Sequence, residues 1–575
     1  MKGLLNGIAE AIILLASLAS FFVLIYQFGF VQTPDSVHIL ERSRPFILLA
    51  FFTGITLRYV VRFQEIIQEK MLYLDISIYF LLFAVLSSKI FFKDAIAYSL
   101  PYLSFLTKPL FVYVLLLLLS TIHLSRQTFT LMQTRIKPSL LFLLSFVFVI
   151  LVGAGLLSLP NATTHRIPFI DALFISTTSV CVTGLTTVDV ATSFTHIGHI
   201  IILILIQIGG IGVMTFTSFF ALSFMGKSSF TSKMMLKDML NEDRTGGLFR
   251  VILNILFVTL FIEGIGAYFI YMDVRGSLPG GTQQELFYAM FHAVSAFCNA
   301  GISTLSGNMY DPLVADKYNL HFWIAMLIIF GGLGFPIVFN YLKLLHHLLM
   351  NGIKILIGKQ KHYIHTPRII NVHTYIVVIS TLILLITGTA FYLFFEYDNT
   401  LGDLPLRGKL ANAFLGAVTP RTAGFNVADM ATLAPPTLML TLILMVIGAA
   451  PMSTGGGLKV TTVFVALVTT LNAAREKDKV EVRKREIAPF AIRRAFAIIM
   501  MYFMWVLSYT EKGAPLFSLL FEVVSALSTV GLSIDYTPHL TPIGKIIIIS
   551  TMLVGRIGVL AFLVSFCKEY TKKDY

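Results

Sequence analysis

Four glycines in the same apolar context are the residues best placed to do chemistry in this chain. Each lies ten residues after a phenylalanine and precedes an apolar residue; they are Gly184, Gly301, Gly424 and Gly531. Glycine adopts backbone conformations that a side chain forbids, so carbonyl groups around it can turn toward a common axis. Four such segments held inside a membrane could replace the water around a dehydrated cation, as a selectivity filter does.

The three residues before each glycine would supply the other carbonyl oxygens of such a filter. They are Cys181, Val182 and Thr183; Cys298, Asn299 and Ala300; Arg421, Thr422 and Ala423; and Ser528, Thr529 and Val530. The stretch that leads from each phenylalanine toward its glycine predicts a short helix, whose C-terminal dipole would face the ion. The four segments differ in sequence, so we expect only approximate fourfold symmetry.

The composition places the chain in a bilayer. Of its 575 residues, 56% are hydrophobic and 13% are charged, whereas a soluble domain carries about a quarter charged residues. The apolar residues form runs of about 20, enough to cross the hydrocarbon core. The first run, near residues 8–30, is too long for a signal peptide and is interpreted as a retained transmembrane helix. The three cysteines form no disulfide or zinc pattern.

The hydrophobic runs predict about twelve membrane spans. Four runs come first, and four pairs then flank the glycine segments; the runs lie near 8–30, 45–62, 72–92, 102–124, 138–160 and 197–221, 250–273 and 319–345, 372–396 and 436–470, and 487–510 and 543–567. The net charge is +13, and the basic residues are spread over alternate loops. This distribution argues against a nucleic-acid-binding surface and follows the positive-inside rule of membrane proteins. Both termini are therefore predicted to be cytosolic.

The expected fold is an all-α polytopic membrane protein. Four tandem repeats of first helix, pore helix and second helix would surround a pseudo-fourfold pore, preceded by about four extra transmembrane helices. We assign the extra helices to residues 1–130 and the repeats to 131–235, 236–365, 366–480 and 481–575, the last ending in a short cytosolic tail. Small residues recur in each second helix, as in Gly209-Gly210-Ile211-Gly212; tight helix packing alone would also explain them.

The second helix of the third repeat is predicted to break into a loop. Pro451 and three consecutive glycines interrupt its apolar sequence, which is more flexibility than a simple kink requires. Arg556 lies in another apolar helix, where a charge is a functional hypothesis by default. The candidate gating residues are Pro451, Ser453, Thr454, Gly455, Gly456, Gly457, Lys459 and Arg556.

The glycine segments, together with the sequence from Gly448 to Thr461, resemble the Trk/Ktr/HKT superfamily of potassium transporters. The similarity is greatest to the Ktr membrane subunit and covers roughly residues 138–567. It implies K⁺ uptake across the plasma (inner) membrane, a homodimer, and a cytosolic ring of nucleotide-binding RCK (TrkA-like) subunits. It also implies that the glycine-rich loop is the gate and that Arg556 projects beneath the filter. The extra N-terminal helices and Met452, where the family usually has a small residue, depart from its pattern.

Several charged residues near the repeats have two interpretations. Arg421 is expected to point behind the filter. Glu522 either pairs with Arg421 there or is exposed to solvent at the outer vestibule. Glu263 should face the protein interior, and His292 is expected to be structural. Carboxylates follow three of the glycines and would either attract cations at an outer mouth or be ordinary loop residues; they are Asp189, Asp429 and Asp535.

Other functions remain open at this stage. A sodium-permeable relative is the nearest alternative; in the plant branch of the superfamily, a serine at the first filter glycine accompanies sodium transport, and all four positions here are glycine. These residues do not decide whether Na⁺ activates transport, or whether transport is coupled to Na⁺ or H⁺. A membrane enzyme is disfavoured because no metalloprotease, nucleophile-elbow or phosphate-loop motif occurs. No covalently bound cofactor is expected. A sensor that kept the fold and lost transport is the third alternative.

Overall fold

The computed structural model describes residues 2–66, 72–90, 108–132, 138–224, 248–357, 372–476, 481–482, 485–486, 489–507, 515–559 and 562. Contacts divide the chain into two compact units, Met1–Ile136 with Leu159–Ala162 and Lys137–Ser158 with Thr163–Tyr575. Most of the basic loop residues that predict the orientation of the termini, including those at 227–244 and 568–573, lie outside the described residues. The orientation therefore stays a prediction.

The first unit contains four long apolar helices, as the sequence predicts. They are α1 (Lys2–Gly29), α2 (Pro34–Ile66), α3 (Leu72–Ile90) and α4 (Pro109–Met132). Their core is made of buried aliphatic and aromatic side chains such as Leu48, Phe51 and Leu116. Helix α2 begins eleven residues before the predicted run at 45–62. The prediction missed its first turns because they are rich in charged residues, and hydropathy detects only the apolar part of a helix.

The helices of the second unit are grouped by the four repeats that the sequence predicts. The first comprises α5 (Pro138–Leu157), α6 (Phe169–Cys181), the single turn α7 (Val190–Ser193) and α8 (His196–Phe224). The second comprises α9 (Leu248–Val274), α10 (Gly281–Cys298), α11 (Tyr318–Leu333) and α12 (Phe335–Leu356). The third comprises α13 (Val372–Glu396), α14 (Leu406–Val418), α15 (Pro435–Val446) and α16 (Val460–Ala474). The fourth comprises α17 (Pro489–Leu507), α18 (Leu516–Ser528) and α19 (Pro542–Ile557). A two-stranded hairpin of β1 (Glu481–Val482) and β2 (Arg485–Glu486) connects the last two repeats.

Within the described residues, four helices are long and apolar enough to cross a membrane by themselves. These spans are Leu5–Gly29, Pro34–Val61, Leu253–Val274 and His373–Glu396. Helices α11 and α12 would make a fifth span together, but they are bent by 101° at Gly334. The other apolar helices are shorter, so the total of twelve spans remains a prediction.

The bend between α11 and α12 corrects the single helix predicted at 319–345. Gly334 has a φ of +81°, a conformation that glycine adopts readily and other residues adopt with strain. Pro336 follows and cannot donate a backbone hydrogen bond, which helps to end α11 here. The predicted break in the third repeat is present as a loop at residues 447–459, between α15 and α16.

Small residues on the second helices lie against the ends of the short helices. A Cβ atom added to Gly209, Gly331 or Gly555 would collide with the carbonyl oxygen of Val180, Phe297 or Leu527, respectively. These three carbonyls occupy the same position, four residues before a repeat glycine. In the third repeat, Gly448 instead lies against Gly456 of the 447–459 loop. In the first, second and fourth repeats, the small residues therefore let the second helix approach the end of a short helix closely.

Candidate ion pore

The four repeat glycines form a closed ring. A Cβ atom added to Gly184 would lie 2.6 Å from the carbonyl oxygen of Ala300, the residue before the next repeat glycine. The same relationship recurs around the ring: Gly301 faces the carbonyl of Ala423, Gly424 that of Val530, and Gly531 that of Thr183. Each repeat thus contacts the next in chain order, and the fourth contacts the first.

The backbone has the same unusual conformation in all four segments. The glycines have φ values of +99°, +66°, +82° and +92° in chain order. Two residues earlier, φ is also positive, at Val182 (54°), Asn299 (63°), Thr422 (76°) and Thr529 (51°). A positive φ is a true outlier for β-branched residues such as valine and threonine. Such strain persists where the surrounding structure enforces it, typically at functional sites.

Three of the short helices end in the same hydrogen-bonded cap. In α6, the Val182 N–H donates to the Ser179 carbonyl (3.2 Å) and the Thr183 N–H to the Thr178 carbonyl (2.8 Å). The same pair of bonds closes α10 and α18, and this is the Schellman pattern. Helix α14 ends earlier, at Val418, because Pro420 has no N–H to donate. The Ala423 and Gly424 N–H groups both approach the Thr419 carbonyl there, at 2.9 and 3.3 Å.

Hydroxyl groups on the short helices support the ring from behind. The Gly184 N–H donates to Thr178 Oγ1 at 2.9 Å, and the Gly531 N–H donates to Ser525 Oγ at 3.0 Å. At the equivalent position of the second repeat, Ser295 Oγ donates to the Ile302 carbonyl at 2.8 Å. Of the sixteen predicted filter residues, all but Gly184 are buried. The segments are thus fixed by hydrogen bonds to the protein on the side away from the ring.

A cavity of about 330 Å³ lies on one side of the ring and is lined by all four glycines. Asp189 and Asp535 also line it. Burial raises the pKa of Tyr310, which also lines the cavity, and the carboxylates of Asp429, Asp535, Asp189 and Asp311 raise this pKa further. Asp189 and Asp429 each accept a hydrogen bond from the backbone N–H two residues later, at 3.0 Å. These carboxylates therefore shape their loops and also make the cavity negative.

The 447–459 loop contacts the residues that lie two positions before the glycines. The Asn299 amide bridges the hydroxyls of Thr422 (3.1 Å) and Thr454 (3.2 Å). The Gly456 N–H donates to Thr529 Oγ1 at 3.1 Å. Hydrogen bonds therefore join the loop directly to the second and fourth segments, and through Asn299 to the third.

Two basic side chains hold the loop. The guanidinium of Arg556, which is 5% exposed, donates to the carbonyl of Thr454 and, at 2.8 Å, to that of Gly209. Lys459 Nζ donates to the Gly455 carbonyl at 2.5 Å. Both cations thus donate to backbone carbonyls of the loop beneath the ring. Arg556 also connects the loop to α8.

The other side of the loop lies on the break between α11 and α12. The Ala450 N–H donates to the Gly332 carbonyl (3.0 Å), and the Phe335 N–H donates to the Met452 carbonyl (3.4 Å). The Pro451 carbonyl lies near Gly334, and Ser453 Oγ closes a local turn with the Ala450 carbonyl at 2.6 Å. Pro451 and Ser453 thus belong to the docked part of the loop, whereas Thr454 to Gly457 approach the ring.

The predicted pairing of Arg421 with Glu522 is wrong. Arg421 is buried and turns away from the ring, with its guanidinium 3.4 Å from Thr381 Oγ1 on α13. Glu522 accepts hydrogen bonds from Ser533 and, at 2.6 Å, from Thr537. The carboxylate is therefore satisfied by hydroxyls of its own repeat and does not reach the third.

A buried ion pair between repeats was not predicted. Lys545 Nζ on α19 lies 2.5 Å from Asp171 Oδ1 on α6, and the two side chains are 13% and 7% exposed. Each is an isolated charge in an apolar stretch, a signal that points to a partner on another helix. Residues 374 positions apart cannot be paired by local sequence patterns.

Glu263 and His292 lie where the sequence predicts. Glu263 is 4% exposed and accepts hydrogen bonds from Gln207 Nε2 at 3.1 and 3.2 Å. His292 bonds to a backbone carbonyl and a serine hydroxyl. Across the described residues, no group of three or more His, Cys, Asp or Glu side chains could hold a metal ion.

These features define a polytopic, all-helical membrane protein in which short helices bring four glycines together. The family model for TrkH, described as a cation transport protein, matches residues 112–574. The chain belongs to this family, whose members are transport proteins rather than enzymes.

Two relatives and one solved structure illustrate this similarity. The Ktr system potassium uptake protein B of Vibrio alginolyticus is 36% identical over 430 residues, which are 73% of this chain and 89% of that protein. The potassium/sodium uptake protein NtpJ of Enterococcus hirae is 35% identical, over 77% of this chain and 95% of that protein. The crystal structure of the potassium transporter TrkH from Vibrio parahaemolyticus aligns with a TM-score of 0.61 at 15% identity, covering 88% of this chain and 99% of that one. That structure supports the fold alone.

Proposed function

We propose that this protein takes up K⁺ through a selectivity filter formed by its four glycine segments. The observation that carries the proposal is the closed ring in which each repeat glycine faces the carbonyl preceding the next one. Four repeats of one chain would then surround a pore with pseudo-fourfold symmetry, preceded by the extra N-terminal helices. Carbonyl oxygens that converge from four directions can replace the hydration shell of a cation.

The path of the ion follows from the surroundings of the ring. Carboxylates around the outer cavity would raise the local cation concentration. The ion would then pass the ring and meet the 447–459 loop, which we assign as the gate. In the conformation described here, the loop and the Arg556 side chain lie beneath the ring. Opening would require the loop to leave Asn299 and Thr529.

K⁺ is the favoured ion because all four ring positions are glycine and the relatives are named for potassium uptake. A sodium-permeable transporter is the second candidate, favoured by the printed name of the Enterococcus relative. Growth of a bacterium without its own K⁺ uptake systems tests both. Expression of this chain should restore growth at low K⁺. Failure to restore growth, together with uptake of Na⁺ by the same cells, would favour the second candidate.

The wider setting is also part of the proposal. We place the protein in the plasma (inner) membrane with both termini in the cytosol, as a homodimer regulated by cytosolic RCK (TrkA-like) nucleotide-binding subunits. K⁺ would be the transported ion, Na⁺ an activator at most, and no covalent cofactor would be required. Relatives of this chain are named as parts of a Ktr system, which favours a partner subunit, and co-purification with a cytosolic nucleotide-binding subunit would test that part of the proposal.

A further inference from the structure

Two of the four short helices carry a polar side chain nine residues before the repeat glycine. They are His292 in α10 and Glu522 in α18. Each bonds to the serine two residues after the glycine: His292 Nε2 lies 2.9 Å from Ser303 Oγ, and Glu522 accepts from Ser533 Oγ. Both pairs span eleven residues. We call the His292–Ser303 and Glu522–Ser533 pairs the serine clamps.

The donors and acceptors of the first clamp can be assigned. His292 Nδ1 lies 2.9 Å from the Tyr288 carbonyl, which only accepts, so Nδ1 carries the proton. In the neutral ring, Nε2 then accepts from the Ser303 hydroxyl. Ser303 Oγ itself accepts from the Leu305 N–H at 3.0 Å. A continuous chain of hydrogen bonds therefore leads from α10 to the backbone beyond the glycine.

The second clamp reaches the same part of its repeat by different chemistry. One Glu522 oxygen accepts from Ser533, and the other accepts from Thr537 at 2.6 Å. His292 is 0% and Glu522 1% exposed. Buried polar groups of this kind are costly to leave unpaired, so each fixes the position of its serine. Ser303 and Ser533 also line the outer cavity, which connects the clamps to the path of the ion.

The other two repeats lack this arrangement. Their equivalent short-helix residues are Ile175 and Leu415, which are apolar and fully buried. Gly301 contacts the segments of Gly184 and Gly424, and Gly531 contacts the same two segments. The second and fourth repeats therefore lie opposite each other. The clamps are found on one diagonal of the ring and apolar side chains on the other.

We infer that the serine clamps are positioning elements that fix the glycine ring along one diagonal and so contribute to its preference for K⁺ over Na⁺. This inference rests on the proposed function. Loss of a clamp would free the residue two positions beyond the glycine and relax the spacing of the carbonyls on that diagonal. A larger ion that fits the fixed spacing would lose more affinity than a smaller one. A merely structural role would change protein stability without changing the relative affinities.

Equilibrium binding of K⁺ and Na⁺ to the purified full-length chain tests this inference, because binding does not require an open gate. Isothermal titration calorimetry would compare Ser303→Ala and Ser533→Ala with the unchanged chain. Each alanine variant removes the hydrogen bond to the short helix, and one buried hydrogen bond corresponds to about a tenfold change in equilibrium constant. We expect each alanine variant to reduce the K⁺/Na⁺ affinity ratio by up to that factor. Ser303→Thr and Ser533→Thr keep a hydroxyl and should restore most of the ratio.

Matched variants separate the clamps from general effects on the cavity. Thr186→Ala removes a hydroxyl at the same offset in the first repeat, where the short-helix residue is the apolar Ile175; its ratio should change by less than about twofold, because no buried hydrogen bond is lost. Glu522→Gln keeps the shape and weakens the acceptor, so it should shift the ratio in the same direction as Ser533→Ala. This variant also serves if an alanine variant does not fold.

The inference is overturned if the clamp variants behave like Thr186→Ala or change K⁺ and Na⁺ affinity equally. A different result would count against the proposed function: an unchanged chain with no preference for K⁺ would have no filter for the clamps to position.

Discussion

The guanidinium of Arg556 donates a hydrogen bond to the backbone carbonyl of Thr454, so the fourth repeat holds the loop of the third. A second bond, to the Gly209 carbonyl at 2.8 Å, ties the same side chain to the first repeat. Arg556 is only 5% exposed, so its side chain is fixed by its surroundings. Since it joins the first, third and fourth repeats, the position of the loop depends on how these three repeats pack. This relationship makes Arg556 the most direct point at which to disturb the gate.

Arg556→Ala should raise K⁺ flux. Removing both hydrogen bonds frees the loop, and bonds from a charged donor correspond to about a 10- to 100-fold change in the closed–open equilibrium. Uptake of ⁸⁶Rb⁺ into liposomes that contain the purified variant would measure the effect. Arg407→Ala is the control, since Arg407 is exposed and bonds to Asn319 away from the loop. A flux unchanged or lowered by Arg556→Ala would contradict the assignment of the gate.

Gly424→Ser should weaken the preference for K⁺ while the protein remains folded in the membrane. Gly424 has a φ of +82°, and a Cβ atom there would collide with the Val530 carbonyl oxygen. The segment must therefore shift, and we expect a loss of about tenfold in K⁺/Na⁺ selectivity, equivalent to one misplaced ligand. Competition of Na⁺ with ⁸⁶Rb⁺ uptake measures it. Gly155→Ser is the matched control, because a Cβ atom at Gly155 meets nothing within 4 Å. Equal selectivity in both variants would remove Gly424 from the filter.

Deletion of Gly455 and Gly456 should change gating more than selectivity. A Cβ atom on either glycine would meet the hydroxyl of Thr422 or Thr529, so the loop passes close beneath the ring at these residues. A shorter loop cannot span from its docked part at Pro451 to Lys459 by the same route. We expect a higher flux and a K⁺/Na⁺ selectivity ratio within about twofold of that of the unchanged chain, because the carbonyl ligands are retained. A large loss of selectivity would show that the loop forms part of the filter.

The ion pair between Asp171 and Lys545 should stabilise the contact between the first and fourth repeats. Removing one member of this largely buried pair leaves an uncompensated charge, which costs at most about 3 kcal/mol. Asp171→Asn and Lys545→Met should therefore each lower the melting temperature of the purified protein. The double variant should be less destabilised than the sum of the two. Additive effects would mean that the two charges do not stabilise each other across the interface.

The sequence predicts the repeated elements well because their signals are local. The ten-residue offset from phenylalanine to glycine recurs in all four repeats, and a short helix precedes each glycine. The loop at Gly455 to Gly457 is equally visible, since three consecutive glycines interrupt an apolar run.

The bend at Gly334 was missed because its signal is ambiguous. Gly209-Gly210-Ile211-Gly212 and Gly331-Gly332-Leu333-Gly334 have nearly the same pattern, yet α8 continues through the first and α11 ends at the second. The difference depends on Pro336 and on the docking of the 447–459 loop at Phe335. That contact joins residues more than a hundred positions apart and cannot be read from either segment alone.

The pairing of buried charges failed for a similar reason. Opposite charge and an expected position behind the filter suggest a bond between Arg421 and Glu522, but Glu522 accepts hydrogen bonds from the nearer hydroxyls of Ser533 and Thr537. The true buried pair, Asp171 with Lys545, links residues that no periodicity relates. Sequence patterns locate isolated charges within apolar helices, and the tertiary fold decides which of them meet.

Cation-selective uptake by the purified chain is the most direct test of the proposed filter. Liposomes that contain this chain, and others that contain the variant lacking Gly455 and Gly456, would take up ⁸⁶Rb⁺ against competing K⁺ or Na⁺. We predict saturable uptake that K⁺ suppresses far more strongly than Na⁺, with higher flux through the shortened loop. Absence of K⁺-selective uptake from both chains would contradict the filter, because the second chain removes a closed gate as the explanation.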